Sequence, residues 1–227
     1  GRCPMNETEP IDFCVALSGP NVGVLYKLFW VTLSRHCNLS ATTFHIINKD
    51  VPSSVMDVVV GLMQGYTTKV YKLPRVVDAS LDFNGYDVDY TCDFMMRSCG
   101  ICNWACISHF DMWFKKDWLT FARQRIADDV AVIGNHCPIM LVNRAAYKYT
   151  TVKFSCAEGM DTGKMLQREM VDLGWRVESY PELNKESDTL AAQEWFHHIG
   201  GGGWHYNEPE VSVKFKFAIE KMEELGI

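Results

Sequence analysis

His109-Phe110-Asp111 stands where the apolar run Cys106-Ile107-Ser108 gives way to Met112-Trp113-Phe114. In extended chain the side chains on either side of Phe110 point the same way, so an imidazole and a carboxylate can reach one divalent cation at a sheet edge. Taken alone, the pair more readily fits a structural histidine and a helix-capping aspartate, so its meaning depends on its surroundings. Farther along, His197-His198 and Trp204-His205 frame Gly200-Gly201-Gly202-Gly203, a run that reads as a hinge or a close-approach loop. Trp104, Trp113, Trp195 and Trp204 are candidate stacking platforms for a ring-shaped ligand, although such residues more often fill a core.

Nine cysteines is an odd number. Complete internal pairing is excluded, which points to a reduced, intracellular and specifically cytoplasmic setting. Cys92, Cys99, Cys102 and Cys106 form the densest group, and the last three fall at i, i+3 and i+7, a shared face if the segment is helical. Zinc or an iron–sulfur cluster would use such a group, yet no second C-x-x-C or close histidine pair completes a site, so small apolar residues on a buried helix are expected. Asn6-Glu7-Thr8 and Asn38-Leu39-Ser40 match the glycosylation pattern by chance on this reading.

The elements that must position these groups are readable in outline. Phe13 to Leu17 is a buried strand ended by Ser18-Gly19-Pro20-Asn21, and Val22, Leu25, Phe29 and Leu33 form the apolar stripe of a helix. Thr42 to Asp50 is a β-branched strand, Pro52 to about Met63 a helix, and Thr67 to Leu73 a third strand. Asp78 to Asp89 reads as an exposed loop, Thr91 to Ala105 as a helix, Cys106 to His109 as a strand and Lys116 to Ala127 as a helix. Asp129 to Gly134 and Pro138 to Val142 are buried strands, Asp161 to Leu173 a helix, and Trp175 to Pro181 a strand. Alternation of this kind predicts an α/β fold with a mostly parallel, doubly wound sheet flanked by helices in one domain. The expected organisation is an extension over 1–11, the catalytic-type domain over 12–206, and an amphipathic helix over 207–227 packed upon it.

Open parallel sheets bind ligands beyond the carboxyl ends of their strands. Ser18-Gly19-Pro20-Asn21, Asn48-Lys49-Asp50 and His109-Phe110-Asp111 all fall on that edge. A nucleotide suits this set: Asp50 can accept from a base or ribose, and a cation on Asp111 can neutralise a diphosphate. Asp50 also fits as a cap for the helix that starts at Pro52.

In 227 residues, 48% hydrophobic and 22% charged with a net charge of -6, no Lys/Arg cluster offers a phosphate-tracking stripe. Nucleic acid is therefore not an expected partner. Val22 to Leu33 is the longest apolar stretch; Lys27 interrupts it, it is too short to span a bilayer, and no signal-peptide pattern opens the chain, so a soluble protein is expected. Neither G-x-G-x-x-G, G-x-x-x-x-G-K-[ST] nor G-x-S-x-G occurs, which sets aside dinucleotide oxidoreductases, P-loop NTPases and nucleophile-elbow hydrolases.

The order of these motifs resembles the GT-A fold of nucleotide-sugar glycosyltransferases, in particular the large family-2-like group. Phe13 to Gly19 with Asn21, Phe44 to Asp50 with Ser53-Ser54, Met96-Arg97-Ser98-Cys99-Gly100-Ile101 and His109-Phe110-Asp111 stand in the places of that pattern. Trp113 to Leu119, Val130 to Gly134, Asn143 to Tyr147, Glu158-Gly159-Met160-Asp161, Leu173-Gly174-Trp175 and His197 to Gly201 resemble its remainder, so the likeness spans about 12–206. The resemblance implies a Mn²⁺ or Mg²⁺ ion held by His109, Asp111 and a C-terminal histidine, best matched by His198. It implies a nucleotide site at Ser18, Gly19, Asn48, Asp50, Arg97 and Phe110, and a general base at Asp161 with Glu158 as substitute. The implied activity is inverting transfer from a UDP- or GDP-sugar to a glycan, lipid or protein hydroxyl.

Two departures stand out. His109 replaces the first acid of the D-x-D triplet, which removes one charge facing the cation and favours Mn²⁺ over Mg²⁺. It also favours an alternative, a non-catalytic GT-A-like protein that binds a nucleotide-sugar or glycan. The late acids are separated as Glu158 and Asp161 instead of adjacent. A nucleotidyltransferase would want a Gly/Arg/Lys-rich loop after the first strand, which Ser18 to Asn21 does not supply.

Overall fold

The interior strand β1 (Ile11–Leu17) is buried on both faces, and its alternate residues divide between two cores. Phe13, Val15 and Leu17 point into one, while Cys14 points into the other, as the two-residue period of a strand requires. The computed structural model describes residues 8–75, 85–135, 138–154, 163–178, 194–199 and 209–227. Within them β1 is followed by α1 (Val22–His36), β2 (Thr42–Asn48), α2 (Ser53–Leu62), β3 (Thr68–Lys72) and α3 (Gly85–Ser98). Then come β4 (Trp104–Ser108), β5 (Met112–Phe114), α4 (Trp118–Arg123), β6 (Val130–Asn135), β7 (Ile139–Asn143) and α5 (Arg144–Lys148). The last elements are α6 (Lys164–Asp172), β8 (Arg176–Glu178), β9 (Phe196–His198) and α7 (Pro209–Leu225).

Seven strands form one sheet in the order β3-β2-β1-β4-β7-β6-β8, and β5 with β9 forms a separate two-stranded ribbon. Only β7 among the seven runs against its neighbours, so the sheet is mostly parallel as expected. On one face α1 packs Leu25, Phe29 and Leu33 against Phe13, Phe44 and Phe114. Phe13 and Phe44 rings lie 5.5 Å apart and Phe29 and Phe114 rings 5.8 Å apart. Ala218 of α7 is buried in this same core. No helix among the described residues is long and apolar enough to cross a membrane.

Several expected boundaries are corrected. The helix placed at Thr91 to Ala105 is α3, which starts at Gly85, inside the segment expected to be loop, and ends at Ser98. Gly100 then turns with φ +81°, and β4 has already begun at Trp104. Cys99, Cys102 and Cys106 consequently share no helical face: Cys99 and Cys106 are buried on different segments and Cys102 is half-exposed between them. The helix at Lys116 to Ala127 shrinks to α4, capped by Asp117, whose carboxylate accepts from Thr120 N–H at 2.9 Å. Expected structure at 76–84, 155–162, 179–193 and 200–208, the glycine run included, lies outside the described residues.

At the amino edge of the sheet, Asp12 joins four segments. Its carboxylate accepts from His45 Nε2 at 2.8 Å, Cys102 N–H at 2.8 Å and Arg144 at 3.2 Å. His45 Nδ1 meets the Tyr71 hydroxyl at 3.0 Å, so the tautomer protonated at Nε2 satisfies both contacts. Burial works against the charge of Asp12, yet the His45 and Cys102 hydrogen bonds and the Arg144 guanidinium hold its carboxyl below the usual carboxylate range.

Candidate active site

The sheet changes its direction of growth at β1: β2 and β3 lie to one side, β4 to the other. Ligands of open α/β sheets bind outside the carboxyl ends of the strands at such a point. There β4 ends at Ser108, one residue before His109. His109 N–H donates to the Pro138 carbonyl at 2.9 Å, and the Ser108 hydroxyl donates to the His109 carbonyl at 2.8 Å. The chain then turns through Phe110 and Asp111 into β5, which pairs with β9 so that Met112 stands opposite His198. Ile199 N–H donates to the Asp111 carbonyl at 2.9 Å and fastens the ribbon beside the turn.

His109, Asp111 and His198 therefore meet. His109 Nδ1 and His198 Nε2 are 3.2 Å apart, and Asp111 Oδ1 lies 3.7 Å from the first and 3.4 Å from the second. All three ligand atoms fall within 4.8 Å of one another. Adjacent ligands on bonds of about 2.1 Å stand about 3 Å apart, so these three side chains could hold a divalent cation after small shifts. Asp111 is 5% exposed. Burial pushes its carboxyl up, but the facing His198 and His109 prevail and hold it well below the usual carboxylate range. Two imidazole nitrogens and one carboxylate oxygen form a donor set that could hold a divalent cation. His197, one residue away, turns to the opposite face, its ring 4.8 Å from that of Trp113. Burial, reinforced by Lys115 and Lys221, drives its pKa down to about 4, so it is neutral.

The nucleotide-binding candidates are distributed unevenly. Ser18 and Gly19 follow β1, and Asn48 and Asp50 follow or end β2, all on the same edge as His109. Gly19 has φ +92° and Asp50 φ +61°. Asn48 closes a turn, its Oδ1 accepting from Val51 N–H at 2.8 Å. Asp50 is exposed and accepts from Arg75 N–H at 3.4 Å. Phe110 instead turns its ring into the main core. Arg97 is not brought to this edge: it lies in the last turn of α3, next to the start of β4, paired with Asp93 at 2.9 Å. Asp161 and Glu158 lie outside the described residues. Lys49 was not anticipated. It is 2% exposed, and its ammonium donates to Asp87 at 2.6 Å and Thr91 at 2.9 Å, pinning α3 to the carboxyl end of β2. A lone base between two polar residues at a strand end was the available signal.

No family model and no curated protein sequence matches this chain. Solved structures do. The mannosyltransferase PcManGT from Pyrobaculum calidifontis, in complex with GDP-Man and Mn²⁺, aligns with 78% of this chain and 57% of its own at a TM-score of 0.59 and 10% identity. The galactosyltransferase LgtC, in complex with donor and acceptor sugar analogs, aligns with 92% of this chain and 95% of its own at 0.55 and 10% identity. S. aureus TarS 1-349 aligns with 90% and 64% at 0.53 and 10% identity. The chain thus spans little more than half the length of the mannosyltransferase. Strand order, the change of direction at β1 and these alignments agree on the architecture: the chain has the GT-A fold.

Proposed function

We propose that the chain transfers a sugar from a nucleotide-diphosphate donor to an acceptor hydroxyl, with a divalent cation at His109, Asp111 and His198. The observation that carries this reading is the convergence of those three side chains at the switch point of the sheet. Two imidazoles and one carboxylate suit Mn²⁺ better than Mg²⁺, and the solved PcManGT complex contains GDP-Man and Mn²⁺. The bound cation would supply positive charge to the departing diphosphate. Asp50 would accept a hydrogen bond from the base or ribose, and the backbone at Ser18 and Gly19 would pass close to the nucleotide. Asp161, with Glu158 as substitute, would take the acceptor proton in an inverting reaction. The donor is a UDP- or GDP-sugar and the acceptor a glycan, lipid or protein hydroxyl.

Thermal-shift titration with UDP- and GDP-sugars tests this, because a ligand that binds only the folded state raises its stability, by about 2.7 kcal/mol at a hundred times Kd. The expected result is a Mn²⁺-dependent shift that Asp111→Ala removes, with slow donor hydrolysis that Asp161→Ala abolishes. Stabilisation without turnover across a broad acceptor panel would replace the transferase by a nucleotide-sugar binding protein. Absence of any shift with either donor class would overturn both.

A further inference from the structure

His197 and His198 are consecutive in β9, and strand alternation sends them to opposite faces of the β5–β9 ribbon. His198 faces the candidate cation site. On the reverse face, His197 and Trp113 floor a cavity of about 270 Å³ whose far wall is α7. Lys115 also lines it, and Phe217, Glu220, Lys221 and Glu224 line it from α7.

His197 is 9% exposed, and its Nδ1 is buried with no hydrogen-bond partner among the described residues. Buried polar atoms are nearly always paired; this nitrogen lies beneath the cavity floor, and the floor itself is offered by the ring carbon of His197 and Trp113. The charges of the lining balance, two ammonium groups against two carboxylates, and Lys221 and Glu224 already pair at 2.8 Å. Neither a cation nor an anion is therefore favoured. Donors and acceptors of both kinds stand beside aromatic carbon, with Phe217 46% exposed at the rim. That combination suits a neutral ring whose edges carry hydroxyls and whose faces carry C–H groups. The volume is just below the range of about 300–1,000 Å³ of sites for drug-sized ligands, which limits the occupant to a single ring.

We propose that this cavity is a second, carbohydrate-binding site for one neutral monosaccharide unit, separated from the cation site by the ribbon itself. It stands on its own lining and remains a sugar site whether or not the other face transfers one.

Saturation-transfer NMR with free glucose, galactose, mannose and N-acetylglucosamine tests it on three proteins: the unaltered chain, Asp111→Ala, and the double variant Phe217→Ala/Glu220→Ala. The two α7 substitutions lie on the cavity wall and leave the buried Ala218 face in place, with a circular dichroism melt to verify folding. The expected result is binding of at least one sugar by the unaltered chain and by Asp111→Ala, weakened about tenfold or more in Kd by the double variant. No binding of any of the four sugars, unchanged affinity in the folded double variant, or loss of binding in Asp111→Ala would each overturn it. So would inorganic phosphate displacing the sugar in a manner that Lys115→Ala abolishes, since the cavity would then be an anion site.

Discussion

Asp111 Oδ1 lies 3.4 Å from His198 Nε2 because β5 and β9 pair with Met112 opposite His198, and Ile199 N–H grips the Asp111 carbonyl at 2.9 Å. The ribbon is only three residues long on each side, yet it sets which histidine faces the carboxylate.

Asp111→Asn keeps the shape of this group and removes its charge. Changing residues that merely support a metal ligand already costs about 10–100-fold in affinity, so a ligand itself should cost at least the upper figure. Calorimetric titration with Mn²⁺ measures it, and an unchanged affinity would remove Asp111 from the ligand set.

His109→Asp restores a second acid next to Asp111. An added oxygen ligand and an added negative charge suit the harder ion, so the variant should gain affinity for Mg²⁺ and narrow the preference for Mn²⁺ by about tenfold. Parallel titrations with the two ions decide it; a preference that does not move would show that His109 is not a ligand.

Asp12 should matter to stability and not to the cation. Its folded carboxyl is held below the usual range, so its contribution is fully present above the unfolded value of about 3.9 and is lost as pH falls through the folded one. Asp12→Ala leaves His45 and Arg144 without their shared buried acceptor, at a cost of about 3–5 kcal/mol at neutral pH. Urea midpoints across pH 2 to 7 should show a steeper acid decline in the unaltered chain than in the variant.

Gly100→Ala probes the same junction from the backbone. Gly100 has φ +81°, and an added Cβ would stand 2.1 Å from Asp12 Cγ, on a side chain held by three partners. Backbone strain and overpacking together should cost about 2–4 kcal/mol. Since this junction lies at the amino edge of the sheet, the melting temperature should fall while Mn²⁺ affinity stays the same; a loss of affinity would couple the two edges.

Alternating burial along Phe13 to Leu17, the stripe on α1 and the polar strand ends were legible because period and turn chemistry are local. So was the placing of His109 and Asp111 on one side of the chain, since two residues of extended backbone suffice for that. The end of α3 was not. A run from Thr91 to Ala105 without a proline reads as continuous helix, and what breaks it is Gly100 in a left-handed turn with Cys102 N–H donated to Asp12, a residue on another strand. Arg97 sits apart from the cation-site edge because it falls in the last turn of α3, and a helix that leads into a parallel strand ends at that strand's amino edge.

Residue order by itself determined most of the element types, the mostly parallel sheet and the pairing of His109 with Asp111 on one side of the chain, while His198 entered through the resemblance to the GT-A pattern. Only the tertiary structure decided that they share one point and that His197 looks the other way. A slip of one residue between β5 and β9 would exchange the two histidines, one for the cation site and one for the cavity behind it, and three-residue strands carry no local pattern strong enough to forbid that slip. The register comes from packing against the rest of the molecule.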